Sequence, residues 1–282
     1  MMPLAAPPSH ATAPGGFLLV LIVILPVLSV LAMLAFGPRR SARITLATVA
    51  GGLVVAVAIM VELLRTGAAL TYVVGGWRPP LGLALRADGL SATMLSMTAL
   101  VVAATGFFAY VQHQLEPATR HGRAPTTFWI LLMAVWSALN AIFVGEDLFS
   151  LYVALELLTF AAVPLVCLDG RAETLSAALR YLMFALLGSL LYLLGTALIY
   201  GSFGTLDISL LSGAGTEGPA LSVALALMIA GLLAKAALFP LHIWLPPAHA
   251  GAPAAASAVL SALVIKAPSR RRSASLSGGC SR

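Results

Sequence analysis

From Phe17 onward the chain alternates between apolar runs about twenty residues long and short polar breaks. The runs fall at 17–36, 43–64, 88–112, 126–144, 148–168, 178–201, 220–245 and 251–267. Each approaches the roughly 20 residues that a helix needs to cross a hydrocarbon layer about 30 Å thick. They are too long and too continuous for barrel strands of about ten residues, and in lipid only helices or closed barrels satisfy their backbone polar groups. The pattern predicts an all-α polytopic membrane protein, a bundle of about eight transmembrane helices.

Two breaks carry their own prediction. Gly145-Glu146-Asp147 is all that separates the fourth run from the fifth, which demands a tight antiparallel hairpin with an acidic tip. Thr71 to Arg86, TYVVGGWRPPLGLALR, holds paired glycines and paired prolines and reads as an outer loop or short extended hairpin, with Trp77 and Arg78 as interfacial packing.

Composition removes the soluble alternative, since 60% of the 282 residues are hydrophobic and 9% are charged. The net charge of +6 bears on orientation and not on nucleic acid. An outside N-terminus leaves Arg39, Arg40, Arg43, Arg120, Arg123, Arg171 and Arg180 in inner loops and only Arg65, Arg78 and Arg86 in outer ones. The first run has no basic segment before it and no evident cleavage site after it, so it reads as a retained span. Cys167 and Cys280 have no metal-ligand spacing, and the chain has no nucleotide loop or cysteine cluster, so it offers no metal site and no cofactor-binding site. The cluster His113, Glu116, Arg120, His121 and Arg123 reads as a solvated loop.

Against this apolar background a few polar side chains stand out. Lys235 is the only charge between Ala220 and Phe239, and Glu156 is equally isolated in DLFSLYVALELLTFAAVPLVCL. A charge near the middle of a membrane helix costs about 2.5–3.5 kcal/mol on the lenient insertion scale, so it persists mainly where it lines an interior or a water path. Glu156 lies nine residues after Asp147, about 13 Å of helix rise, which places it near mid-membrane. The structural alternative for Glu156 is a neutral, hydrogen-bonded carboxyl. Pro240 lacks an N–H and must break or kink the seventh run just after Lys235. His242, Trp244 and His249 follow the break; Trp244 as an interface anchor and His242 as a helix cap are the structural alternatives there. Lys266 ends the eighth run, where spacing alone reads as snorkelling to the interface.

EDLFSLYVALELL, LLAKAALFPLHIWLPPAHAGAPAAASAVL and SALVIK together resemble the proton-translocating antiporter-like membrane subunits shared by respiratory complex I, membrane-bound hydrogenases and Mrp-type cation/proton antiporters. LPPAHAGAPAAASAVLSALVIK looks most like the D subunit of Mrp-type antiporters. The resemblance implies that Glu156 and Lys235 form a coupled pair on the fifth helix and the broken seventh. It also implies that Lys266 is an onward proton carrier rather than a snorkelling lysine, and that Asp147, His242 and His249 are supporting polar residues. The implied function is an ion-translocating subunit of a multisubunit Mrp-type antiporter. The alternative is a proton-pumping subunit of an NADH:quinone oxidoreductase or membrane-bound hydrogenase, whose redox chemistry belongs to partner chains. Implied partners are other membrane subunits, H⁺ with Na⁺ or K⁺, and lipid, in a bacterial inner membrane.

Family members have about fourteen helices with inverted five-helix repeats, and this chain corresponds to the first half. The expected division is an N-terminal extramembrane segment (1–16), a three-helix segment (17–112), a partial translocation domain (113–267) and a basic tail (268–282). PSRRRSASLSGGCSR replaces the expected continuation of the eighth helix after Ala267, which reads as a frameshift, a gene-model error or a degraded gene. A non-transporting remnant is therefore the third reading.

Overall fold

The computed structural model describes residues 12–77, 79–115, 123–212, 218–239 and 241–264. Its helices are α1 (Phe17–Phe36), α2 (Ser41–Thr66), α3 (Gly89–Leu115), α4 (Arg123–Val144), α5 (Leu148–Val166), α6 (Ala172–Phe203), α7 (Ile208–Leu211), α8 (Pro219–Lys235), α9 (Leu245–Gly251) and α10 (Ala254–Val259). A π-helical turn, Leu260–Val264, continues α10. Six of these, α1 to α6, are long and apolar enough to cross a membrane, so the chain is a multi-pass membrane protein. The seventh and eighth predicted spans are realised as the shorter helices α8 and α10, with α9 between them.

α4 packs against α1, α3 and α5; α6 lies on α5, and α8 lies on α6. α10 returns to α3 and α5. Lipid offers apolar side chains as good an environment as a neighbouring helix does, so association rests on close backbone approach and interhelical hydrogen bonds. Both are visible. Pro26 inside α1 leaves the Ile22 carbonyl without its helical donor. The Asn140 side chain of α4 donates to that oxygen at 2.8 Å, and Ser137 donates to the Val23 carbonyl at 3.1 Å.

The tightest approach joins α6 to α8. A Cβ placed on Gly231 would lie 2.3 Å from the Gly188 carbonyl oxygen, and one on Gly195 would lie 2.5 Å from that of Ala224. Glycine is therefore a steric requirement at this seam, not a flexible spacer.

The stretch read as an extended hairpin is one. β1 (Leu70–Val73) pairs antiparallel with β2 (Ala84–Ala87), with Leu70 opposite Ala87. Leu85 bridges to Gly145, and Asp147 bridges to Asp207, so the α4–α5 tip lies between the hairpin and the segment before α7. Arg86 and Glu146 add an ion pair at 3.7 Å. Asp147 accepts from Ser150 N at 2.8 Å and caps α5; Asp207 accepts from Ser209 N and Leu210 N, both at 3.0 Å, and caps α7.

The end of α8 departs from expectation. Pro240 was to set the break, yet the helix stops at Lys235, the last helical residue rather than one a turn from the end. Leu238 N donates to Leu233 O at 3.2 Å and Ala237 N to Ala234 O at 3.3 Å, the pair of bonds of a Schellman cap. Ala237, with φ 49°, fills the left-handed position that glycine usually takes. Pro240 itself lies outside the described residues, as do Arg78, residues 116–122 of the loop cluster, Lys266 and the basic tail.

Three substitutions test this packing by thermal unfolding of the purified chain in detergent. Gly231→Ala should destabilise by about 1–3 kcal/mol through overpacking, whereas Gly51→Ala, whose Cβ would meet only Leu25 Cδ1 at 3.8 Å, should not. Ala237→Gly should stabilise by about 1 kcal/mol by relieving the left-handed alanine. A lower melting temperature for Ala237→Gly would show that the cap geometry is wrong.

Candidate functional site

Glu156 stands on α5, two and a half turns beyond the Asp147 cap, and its side chain is 13% exposed. Lys235 ends α8, and its side chain is 6% exposed. The two meet. Lys235 Nζ donates to Glu156 Oε1 at 3.0 Å, to Thr159 Oγ1 at 3.1 Å and to the Leu155 carbonyl at 3.5 Å. An ammonium has three donors, and α5 supplies three acceptors.

The reach across α6 depends on Gly188. A Cβ there would sit 3.2 Å from Lys235 Cγ, so the lysine stem passes where α6 has no side chain. One residue on, Ser189 donates to the same Glu156 Oε1. The C-terminal end of α8 adds the partial negative charge of its unpaired carbonyls beside the ammonium. At an effective dielectric near 20 the ion pair is worth about 5 kcal/mol before desolvation.

Beyond the break, Trp244 is buried and stacks on Tyr181 of α6, ring centroids 4.3 Å apart and planes 8° from parallel. Its Nε1 donates to the Ala234 carbonyl at 3.3 Å. Trp244 is thus a core residue closing the end of α8, which corrects the interface-anchor alternative. A small cavity, about 10 Å³ of space for the centre of a water molecule, lies beside Lys235 and is also lined by Thr159, Tyr181 and Val264.

Asp147, His242 and His249 lie apart from the pair. Asp147 is at the capped start of α5. His242 is exposed, its ring centroid 5.8 Å from that of Phe239; Trp244, not His242, occupies the N-cap position of α9, and no side-chain bond caps that helix. His249 Nδ1 lies 3.0 Å from Ser257 Oγ and ties α9 to α10. Thr159, Ser189 and Tyr181 were not singled out from sequence. Thr159 carried a signal, being three residues from Glu156 and so on the same helical face. Ser189 carried a weaker one beside Gly188, the small-residue pattern of a close helix contact.

Residues 145–269 match the family model described as NADH:quinone oxidoreductase/Mrp antiporter, TM. The chain is 36% identical over 224 residues to the N subunit of the NADH-quinone oxidoreductase of Desulforudis audaxviator, covering 78% of this chain and 43% of that protein. It is 27% identical over 253 residues to the D subunit of the Na(+)/H(+) antiporter of Bacillus subtilis, covering 88% of this chain and 50% of that one. Among solved structures it superposes on a chain of the Mrp complex from Dietzia sp. DQ12-45-1b with a TM-score of 0.80 at 28% identity, covering 91% of this chain and 47% of that chain. The chain spans about half the length of the relatives it matches.

Glu156→Gln and Lys235→Met should each destabilise the chain in detergent by about 3–5 kcal/mol, because each leaves its partner buried and uncompensated. The double variant should lose less than the sum of the two. Additive losses would mean that the pair does not couple.

Proposed function

We propose that this chain, which belongs to the NADH:quinone oxidoreductase/Mrp antiporter family of membrane proteins, is an ion-translocating component of a multisubunit cation/proton antiporter. Its Glu156–Lys235 pair moves the proton. The observation that carries this reading is the 3.0 Å contact between a buried acid and a buried base, made at the interrupted end of α8. A purely structural contact in lipid needs no charges, whereas a proton carrier needs a group that is charged in one state and neutral in another.

With Lys235 protonated, Glu156 stays ionised and the two hold each other. Opening the pair leaves an ammonium in a poorly solvated interior, and that ion is relieved by losing its proton. The water-sized cavity beside Lys235 and Thr159 supports a first step through water. Lys266 is the onward carrier in this reading, with Asp147, His242 and His249 in supporting roles outside the pair. Residues 113–267 form the translocation unit. The companions are further membrane subunits, and the exchanged ion is Na⁺ or K⁺. The distribution of arginines supports an outside N-terminus in a bacterial inner membrane.

The oxidoreductase relative from Desulforudis audaxviator favours a second reading, a proton-translocating component of an NADH:quinone oxidoreductase. The two readings part on the driving force. In inverted vesicles carrying the complex, an antiporter dissipates a preformed pH gradient on addition of Na⁺ or K⁺, while a redox complex supports acidification only on addition of NADH.

In whichever assay the wild type is active, Lys235→Ala should abolish proton movement and leave membrane insertion intact. Glu156→Gln should reduce the rate at least tenfold and shift its pH optimum. Unchanged proton movement in Lys235→Ala would remove this reading.

A further inference from the structure

Ser189 and Thr159 each stand against one member of the ion pair and against a backbone carbonyl of their own helix. Ser189 Oγ contacts Glu156 Oε1 and lies 2.9 Å from the Ala185 carbonyl. Thr159 Oγ1 lies 3.1 Å from Lys235 Nζ and 2.9 Å from the Leu155 carbonyl. Both residues are buried, 2% and 4% exposed. A hydroxyl has one proton and two lone pairs, so neither side chain donates to two acceptors at once.

We propose that Ser189 and Thr159 are positioning residues whose hydroxyl protons turn as the pair changes charge, so that both protonation states of Glu156 and Lys235 keep their hydrogen bonds. The proposal rests on the pair being the proton carrier argued above. With Glu156 ionised, Ser189 donates to Oε1. With Glu156 protonated, the carboxyl O–H donates to Ser189 Oγ, and the serine proton turns to the Ala185 carbonyl. Thr159 mirrors this on the base. It accepts from the ammonium while donating to the Leu155 carbonyl, and turns its proton to the nitrogen lone pair when the amine is neutral. Neither state strands a buried donor or acceptor, which would otherwise cost the carrier its reversibility.

Bonding of a serine or threonine to the carbonyl four residues back is common in apolar helices. Thr48, Ser96 and Thr196 make the same bond, at 2.8, 2.9 and 2.9 Å, and have no contact with the pair. They supply the internal control. On the elements packed against α5, the titratable groups whose side chains are described include Tyr181, Tyr192, Lys235 and His249, with Glu173 and Arg180 exposed near the start of α6 and Tyr200 exposed near its end. Of these, Lys235 bonds to Glu156, Tyr192 OH reaches Leu148 O at 3.4 Å, and His249 is on Ser257.

The test is a pH titration of the Glu156 carboxyl band by infrared difference spectroscopy on the full chain in liposomes, with Glu156→Gln identifying the band. Ser189 favours the ionised carboxylate, so Ser189→Ala should move the midpoint to higher pH by about one unit, and Ser189→Thr should return it toward wild type. Thr159→Val weakens the hold on the ammonium and hence its support of the carboxylate, so it should move the midpoint the same way by less. Thr159→Ser should reverse that shift, and Thr196→Val should leave the midpoint unmoved. An unmoved midpoint in Ser189→Ala, or equal shifts in Ser189→Ala and Ser189→Thr, overturns the proposal whatever the transport assay gives. The expected shifts in a chain whose wild type moves no protons with any partner set would support the hydroxyl roles and remove the proposed function instead.

Discussion

The contact between Lys235 and Glu156 constrains everything around it. Two charges withdrawn from water lose several kcal/mol of hydration each, and their mutual attraction offsets this only when the geometry is good and the remaining donors are satisfied. Here the ammonium finds a carboxylate, a hydroxyl and a carbonyl within 3.5 Å, all on α5. That requirement dictates the neighbouring architecture. Lys235 belongs to α8, yet its partners lie on the far side of α6, so α6 must be thin where the lysine passes. Gly188 makes it so, and Gly231 and Gly195 let the two backbones close together along the rest of the seam. The glycine seam and the ion pair are one design seen from two sides.

The end of α8 obeys a related constraint. A helix that stops inside the membrane exposes carbonyls that lipid cannot satisfy. Ala236 N takes the Leu232 carbonyl at 2.9 Å, Leu238 N takes that of Leu233, and Ala237 N together with Trp244 Nε1 takes that of Ala234. The stop is thus closed by protein donors, at the cost of a left-handed alanine of roughly 1–2 kcal/mol. The Trp244 indole does two jobs with one side chain, since its stack on Tyr181 also fixes the segment after the break against α6.

How much of this was legible follows from which signals are local. The apolar runs gave α1 to α5 to within three residues at either end and began six residues late on α6, because span length is a property of each run alone and the first turns of α6 carry Glu173 and Thr174. Lys235 and Glu156 were visible because a lone charge in an apolar run is conspicuous wherever it points. The position of the break was not, for Pro240 is audible in sequence and a Schellman cap built on Ala237 is silent. Asp207 was missed for a different reason. Its role appears only when its segment lies beside Asp147, a contact between residues sixty apart. Ser189 and Tyr181 were likewise ordinary members of an apolar helix until the fold aimed them at the pair and at Trp244.

A saturated ion pair is a resting state, and motion must come from the backbone around it. Regular helix resists local change because each residue is held by bonds to both neighbouring turns, and irregular backbone yields first. Such backbone gathers on one side of Lys235. The left-handed Ala237 and the turns up to α9 follow it directly. The π-helical turn Leu260–Val264 faces it, with Val264 lining the same small cavity as Lys235 and Tyr181. π-Helical turns and strained residues recur where a fold must move to function. On the other side, α5 and α6 run unbroken past Glu156 and Ser189. The acid is therefore held on regular helix and the base beside irregular backbone, so in the proposed relay the end of α8, and not α5, is the side on which the pair opens.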